Sequence, residues 1–116
     1  MNKFDIPIFK LSYDLYKTLH QYRKIIPKHD RFSIFAKCEQ SLLDILELII
    51  LASSQSKKEK LPTLKQASLK LNVFRIFVRL LKDVKALDSK KYIILENMAD
   101  QIGRMLGGWI RSSKDV

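Results

Sequence analysis

A chain of 116 residues with 47% hydrophobic residues and only 3 Gly and 3 Pro has the make-up of one packed domain, and excludes a disordered or linker-like protein. Lys and Arg number 22 against 12 Asp and Glu; the formal net charge of +10 directs attention to polyanionic partners, nucleic acid first. A lone Cys38 excludes an intrachain disulfide, and His20 and His29 stand too far apart in sequence for a metal-ligand spacing.

The amino terminus is too polar for a secretory signal. The densest apolar run, 42–52, is interrupted by Asp44 and Glu47, short of the ~18 consecutive apolar residues of a membrane span. A cytoplasmic protein without a membrane partner is expected. Asp5 followed by Ile6-Pro7 reads as a helix start, with a capping carboxylate and a proline in the first turn, where its missing N–H costs nothing. Ile8, Leu11, Leu15, Leu19, Tyr22 and Ile26 continue at spacings of three and four as far as Pro27, which stops this first helix. Phe9, Tyr13 and Tyr16 form a second apolar strip, and Lys10, Lys17 and Lys24 repeat every seven residues on the opposite side.

Asp30 is the expected cap of a second helix running to about Ser53, with Ile34, Cys38, Leu42, Ile45, Ile49 and Ala52 on its inner face. Its polar side, with Glu39, Asp44 and Glu47, is acidic, so the basic character must be carried elsewhere. The polar stretch 53–60 reads as a solvated loop, and a third helix is expected to begin near Pro62 or Thr63 and to run to about Ala86. That helix has two seams. Leu64, Ala67, Leu71, Phe74, Val78 and Leu81 form one, and Leu69, Val73, Ile76 and Leu80 form another. Since a small bundle needs one buried seam per helix, the second predicts contact with another subunit. Between them runs a strip of Ser68, Asn72, Arg75, Arg79 and Lys82 that contains no acid.

Asp88 or Ser89 is the expected cap of a fourth helix, whose inner stripe is Tyr92, Leu95, Ala99, Ile102, Leu106 and Trp109. Gly103 and Gly107 sit one turn apart beside it. Each costs about 1 kcal/mol relative to Ala in a helix interior, which close packing of a neighbouring helix repays. For Gly107 and Gly108 a role in ending the helix is the alternative. The whole pattern predicts an all-α protein, an antiparallel up-and-down four-helix bundle in a single domain spanning 1–116.

No catalytic constellation is found: no Gly-rich phosphate loop, no Glu-x-x-His pair, no Ser or Cys with a base and an orienting acid. Neither enzymatic activity nor a cofactor or metal is expected, and Cys38 on an inner face reads as a small core hydrophobe. Arg75, Arg79 and Lys82, at i, i+4 and i+7, suit a phosphate backbone, with Lys10, Lys17 and Lys24 as a second patch. Without a base-reading motif, such binding is expected to ignore sequence.

These residues resemble a four-helix-bundle family that includes the accessory variability determinants of diversity-generating retroelements and, more distantly, proteins encoded by intervening sequences in bacterial 23S ribosomal RNA genes. The matching pieces are Tyr13-Asp14-Leu15, Pro27-Lys28 with Arg31-Phe32, Leu46-Glu47-Leu48-Ile49, Ala67 through Leu71 to Arg75 with Arg79-Leu80, Tyr92, and Gly103-Arg104-Met105-Leu106-Gly107-Gly108-Trp109. The last piece is similar to the retroelement branch. Ile34-Phe35-Ala36 departs from the family, in which a glycine often stands.

The resemblance implies a non-catalytic homopentameric barrel that binds a reverse transcriptase together with RNA and DNA, and supports error-prone copying of a template RNA into complementary DNA. The second seam of the third helix and the close packing expected of the two glycines make Leu69, Val73, Ile76, Leu80, Gly103 and Gly107 the expected subunit contacts. The ribosomal branch implies instead a ribosome-associated protein with no polymerase partner.

Overall fold

The computed structural model describes residues 6–114; Asp5, the expected cap of the first helix, lies outside them. Four long helices build the protein: α1 (Pro7–Gln21), α2 (Ile34–Ser53), α3 (Lys57–Asp83) and α4 (Ser89–Lys114). No strand occurs among the described residues. Helix α2 packs on α3, α3 on α4, and α1 on both α2 and α4, which closes a four-helix ring. The body measures 47 × 24 × 22 Å, and 27 residues of α3 at ~1.5 Å per residue account for most of its length.

The apolar periodicity decides what is inside. On α2, Cys38, Leu42, Ile45, Ile49 and Ala52 are buried, and on α3 all six of Leu64, Ala67, Leu71, Phe74, Val78 and Leu81. Leu95, Ala99, Ile102 and Leu106 do the same for α4, with Tyr92 and Trp109 half-buried at the ends of the stripe. Buried hydroxyls on Ser12, Ser41 and Ser113 donate to the carbonyls of Ile8, Lys37 and Trp109, each at 2.8 Å, so no polar atom among these three is left unpaired in the core.

Three helix boundaries differ from the sequence expectation. Helix α1 stops at Gln21, and a 3-10 turn, Arg23–Ile25, follows. Ile26 is extended because the following proline disfavours a helical conformation there, yet it is still buried. Asp30 caps nothing: it lies in a single helical turn, Lys28–Arg31, and faces Nε2 of His29 at 3.3 Å. The backbone breaks at Phe32 and Ser33, and α2 begins at Ile34.

The third difference is the start of α3 at Lys57 instead of Pro62. Ser56 and Glu59 form a reciprocal capping box, in which the Glu59 amide donates to Ser56 Oγ (3.3 Å) and the Ser56 amide to Glu59 Oε1 (3.0 Å). The Ser56 amide holds the Glu59 carboxyl below its ordinary range. Pro62 is carried inside the helix. Helix α3 ends at Asp83, with Lys85 in the left-handed region (φ 66°) and the Ala86 amide donating back to Leu81 O at 2.9 Å. Asp88 Oδ1 then accepts from the Lys91 amide at 2.8 Å and caps α4 as expected.

Candidate nucleic-acid and subunit interfaces

Charge is distributed unevenly over the ring. Helix α3 carries eight Lys and Arg against Glu59 and Asp83, a net +6 of the chain's +10, whereas α2 has Lys37 against Glu39, Asp44 and Glu47, a net −2. The two attract locally through Lys70 Nζ and Asp44 Oδ2, 3.2 Å apart. At 100° per residue the second seam of α3 lies on the face opposite the buried stripe. Leu69 is 60% exposed, Ile76 66% and Leu80 38%, with Val73 and Phe77 half-buried between them. Within one protomer, then, α3 keeps an apolar ridge in water.

Arg75 is placed differently from the acid-free strip in which its sequence position set it. Its Nε donates to Glu96 Oε1 at 2.7 Å and its Nη2 to Asp100 Oδ1 at 3.1 Å, both carboxylates coming from α4. Arg104, one turn beyond, donates to Asp100 Oδ2 at 2.7 Å. The acids are 21 and 25 residues away, and reach Arg75 only because α3 and α4 pack side by side. Gly103 belongs to the same junction. A Cβ there would stand 3.4 Å from Arg75 Nη1 and 3.5 Å from Leu71 Cδ2, so Gly103 lies against α3 of its own chain. A Cβ on Gly107 would meet only Arg111 Nη1, at 3.5 Å, with no atom of α3 within 4 Å.

The junction predicts an acid-sensitive stability. The Arg75 hydrogen bond, then the Arg104 charge, hold the Asp100 carboxyl below its ordinary range. A depressed carboxylate stabilises the fold above its unfolded-state value, and that contribution is lost as pH falls through the lower folded value. Arg75→Ala is expected to cost about 1 kcal/mol at neutral pH, chiefly through the half-buried bond to Glu96, and to return the Asp100 carboxyl toward its ordinary range. Thermal melts, with a carboxyl titration followed by NMR, check both.

Arg79 and Lys82 remain on the surface. Arg79 is 71% exposed and meets Asp83 only at 3.8 Å, while Lys82 lies 3.9 Å from Asp83 with its Nζ 4.8 Å from the centre of the Tyr92 ring. Lys10, Lys17 and Lys24 are all exposed, Lys17 with its Nζ 5.6 Å from the centre of the Tyr13 ring. Lys10 and Lys17 lie on α1 and Lys24 in the turn after it, whereas Arg79 and Lys82 lie on α3, which does not adjoin α1 in the ring. The Gly108-Trp109 end of α4 lines a shallow apolar depression of about 380 Å³ with Ile6, Pro7, Ile8 and Met105, and Lys60 Nζ lies 5.2 Å from the centre of the Trp109 ring.

Burial, then the Glu39 charge, push the Cys38 thiol up to about 12, so it stays protonated and packs as a small apolar side chain. His20 is exposed and stacks on Tyr16 with ring centres 6.2 Å apart. Among the described residues no helix is long and apolar enough to cross a membrane.

The family model described as bAvd-like matches residues 8–113, which takes in all four helices almost to their ends. No curated protein matches the chain.

Proposed function

Because this chain belongs to the bAvd-like family, the bacterial accessory variability determinants, we propose that it is a non-catalytic accessory protein of a diversity-generating retroelement. In this role it assembles with copies of itself, in a pentamer, and holds a reverse transcriptase and nucleic acid together during mutagenic copying of RNA into DNA. The outward face of α3 is the observation that carries the reading. An apolar ridge of Leu69, Ile76 and Leu80 runs along the helix that also bears a net +6, so one element offers both a surface to cover and a field for polyanions.

The division of labour follows from the side chains. The ridge, with Val73, joins subunits by burying apolar area. Arg79, Lys82 and the α1 lysines Lys10 and Lys17, with Lys24 just beyond the helix, neutralise phosphates and read no sequence, since none is held in a geometry that selects a base. Arg75, paired with two carboxylates, contributes less field than its neighbours.

Filter binding of RNA and DNA at rising salt tests the partner. The expected logarithmic slope is about −0.9 for each duplex phosphate neutralised. Arg79→Glu with Lys82→Glu is expected to weaken binding at least tenfold on every sequence with helix content unchanged. A slope near zero, or an affinity that ignores the reversal, counts against the reading. A reverse transcriptase gene with paired template and variable repeats is the expected genomic neighbourhood; a surrounding ribosomal RNA operon would favour the ribosomal branch.

A further inference from the structure

The connection between α1 and α2, built from a 3-10 turn and one helical turn, is strongly basic. Residues 22–33 hold Arg23, Lys24, Lys28 and Arg31 against Asp30 alone, a net +3, and Asp30 is turned to His29. Two adjoining surface depressions run along it and share His20 and Gln21. One, about 300 Å³, is lined also by Tyr16 and Lys17; the other, about 410 Å³, by Arg23, Lys24 and Arg31. Neither lining contains a carboxylate.

The cations exceed what the fold uses. Arg31 alone ties the connection, donating from Nε to Ile26 O and from Nη2 to Lys24 O, both at 2.9 Å. Arg23 and Lys24 enter no ion pair among the described residues. They gain something from the negative end of α1, but a helix end accounts for only a fraction of a charge. Beside them stands Phe32, 73% exposed, the most exposed large hydrophobic side chain among the described residues, with the Arg23 guanidinium 5.4 Å from its ring centre. A flexible-stemmed cation set next to an open aromatic ring is the combination that single-stranded nucleic acid needs: charge for the backbone, a π-face for the base.

We infer that the segment from Lys17 to Phe32 is a contact site for single-stranded nucleic acid, in which Arg23, Lys24 and Arg31 take phosphates and a base stacks on Phe32. The site rests on the nucleic-acid role proposed above and adds to it a place and a strandedness. The Arg23 end is the phosphate end. Burial, then the Glu39 carboxylate, push the Tyr16 phenol up, so negative charge flanks the other end of the track. Stacking ignores base identity and requires an unpaired strand, so this site prefers single strands over duplex, unlike the phosphate contacts of Arg79 and Lys82.

Fluorescence anisotropy with a labelled oligothymidylate, and with a duplex of equal length, tests the site on the full chain. Arg23→Glu with Lys24→Glu is expected to weaken single-strand binding at least tenfold and to reduce the salt slope by about 1.4, that is ~0.7 for each lost contact. Phe32→Ala is expected to lose about fivefold or more on the single strand and little on the duplex. Emission of Phe32→Trp should be quenched on adding the oligothymidylate. If the unmodified protein binds neither probe, the nucleic-acid role itself falls and this site with it. If it binds but these variants bind equally well, or if Phe32→Trp emission answers to protein concentration and not to the oligonucleotide, the inference fails while the general role stands.

Discussion

Replacing Leu69 and Ile76 with glutamate is expected to leave a monomer of 13.6 kDa that keeps its helix content. The two side chains are 60% and 66% exposed on the face of α3 turned away from the core, so within one protomer the substitutions exchange apolar for charged groups already in water. Such surface changes usually alter folding stability by under about 0.5 kcal/mol. In an assembly the same glutamates, seven residues apart on one ridge, are taken out of water. Two unpaired buried charges cost several kcal/mol each, far more than the packing they interrupt. The expected outcome is dissociation without unfolding, seen as a loss of mass by sedimentation and an unchanged circular dichroism spectrum.

Phe74→Ala is the opposite experiment on the same helix. Phe74 is 1% exposed and lies between Leu71 and Val78 on the stripe that faces α2 and α4. Truncation removes most of an aromatic side chain from a close-packed interior and leaves a cavity, at a cost of about 3–5 kcal/mol. That is a large share of the roughly 5–15 kcal/mol by which a domain of this size is stable. Ile76→Ala, two residues on, should cost the protomer little. Denaturant midpoints of the two variants, measured where the protein is monomeric, separate the inner seam from the outer one; similar losses would mean that both seams are core.

The seams were legible in the sequence because burial follows periodicity. Every inner-face position of α3 is buried, and of the second seam Leu69, Ile76 and Leu80 are exposed, with Val73 half-buried between them. What periodicity does not encode is the partner across a helix pair. Arg75 sits in a strip that is free of acid along α3, but Glu96 and Asp100 come to it from α4.

The misplaced start of α3 has a local cause. A proline often marks a helix boundary, but Ser56-Lys57-Lys58-Glu59, a capping-box sequence that begins six residues earlier, fixes the start, and Pro62 costs the helix one backbone bond. At the α1–α2 connection, the expectation of one helix start at Asp30 hid a turn that Arg31 holds by two carbonyls. No periodic pattern announces such a turn, and Phe32 is marked in the sequence only by its place in the family resemblance.

Self-assembly through α3 is the claim on which the adaptor role depends, because a single protomer this narrow offers little surface for a polymerase and a nucleic acid at once. Sedimentation equilibrium of the unmodified protein at micromolar concentration measures it without a label, a ligand or a substitution. A single species near five times 13.6 kDa is predicted. A stable species at 13.6 kDa across that range, with Leu69, Ile76 and Leu80 open to water and nothing covering them, would contradict it.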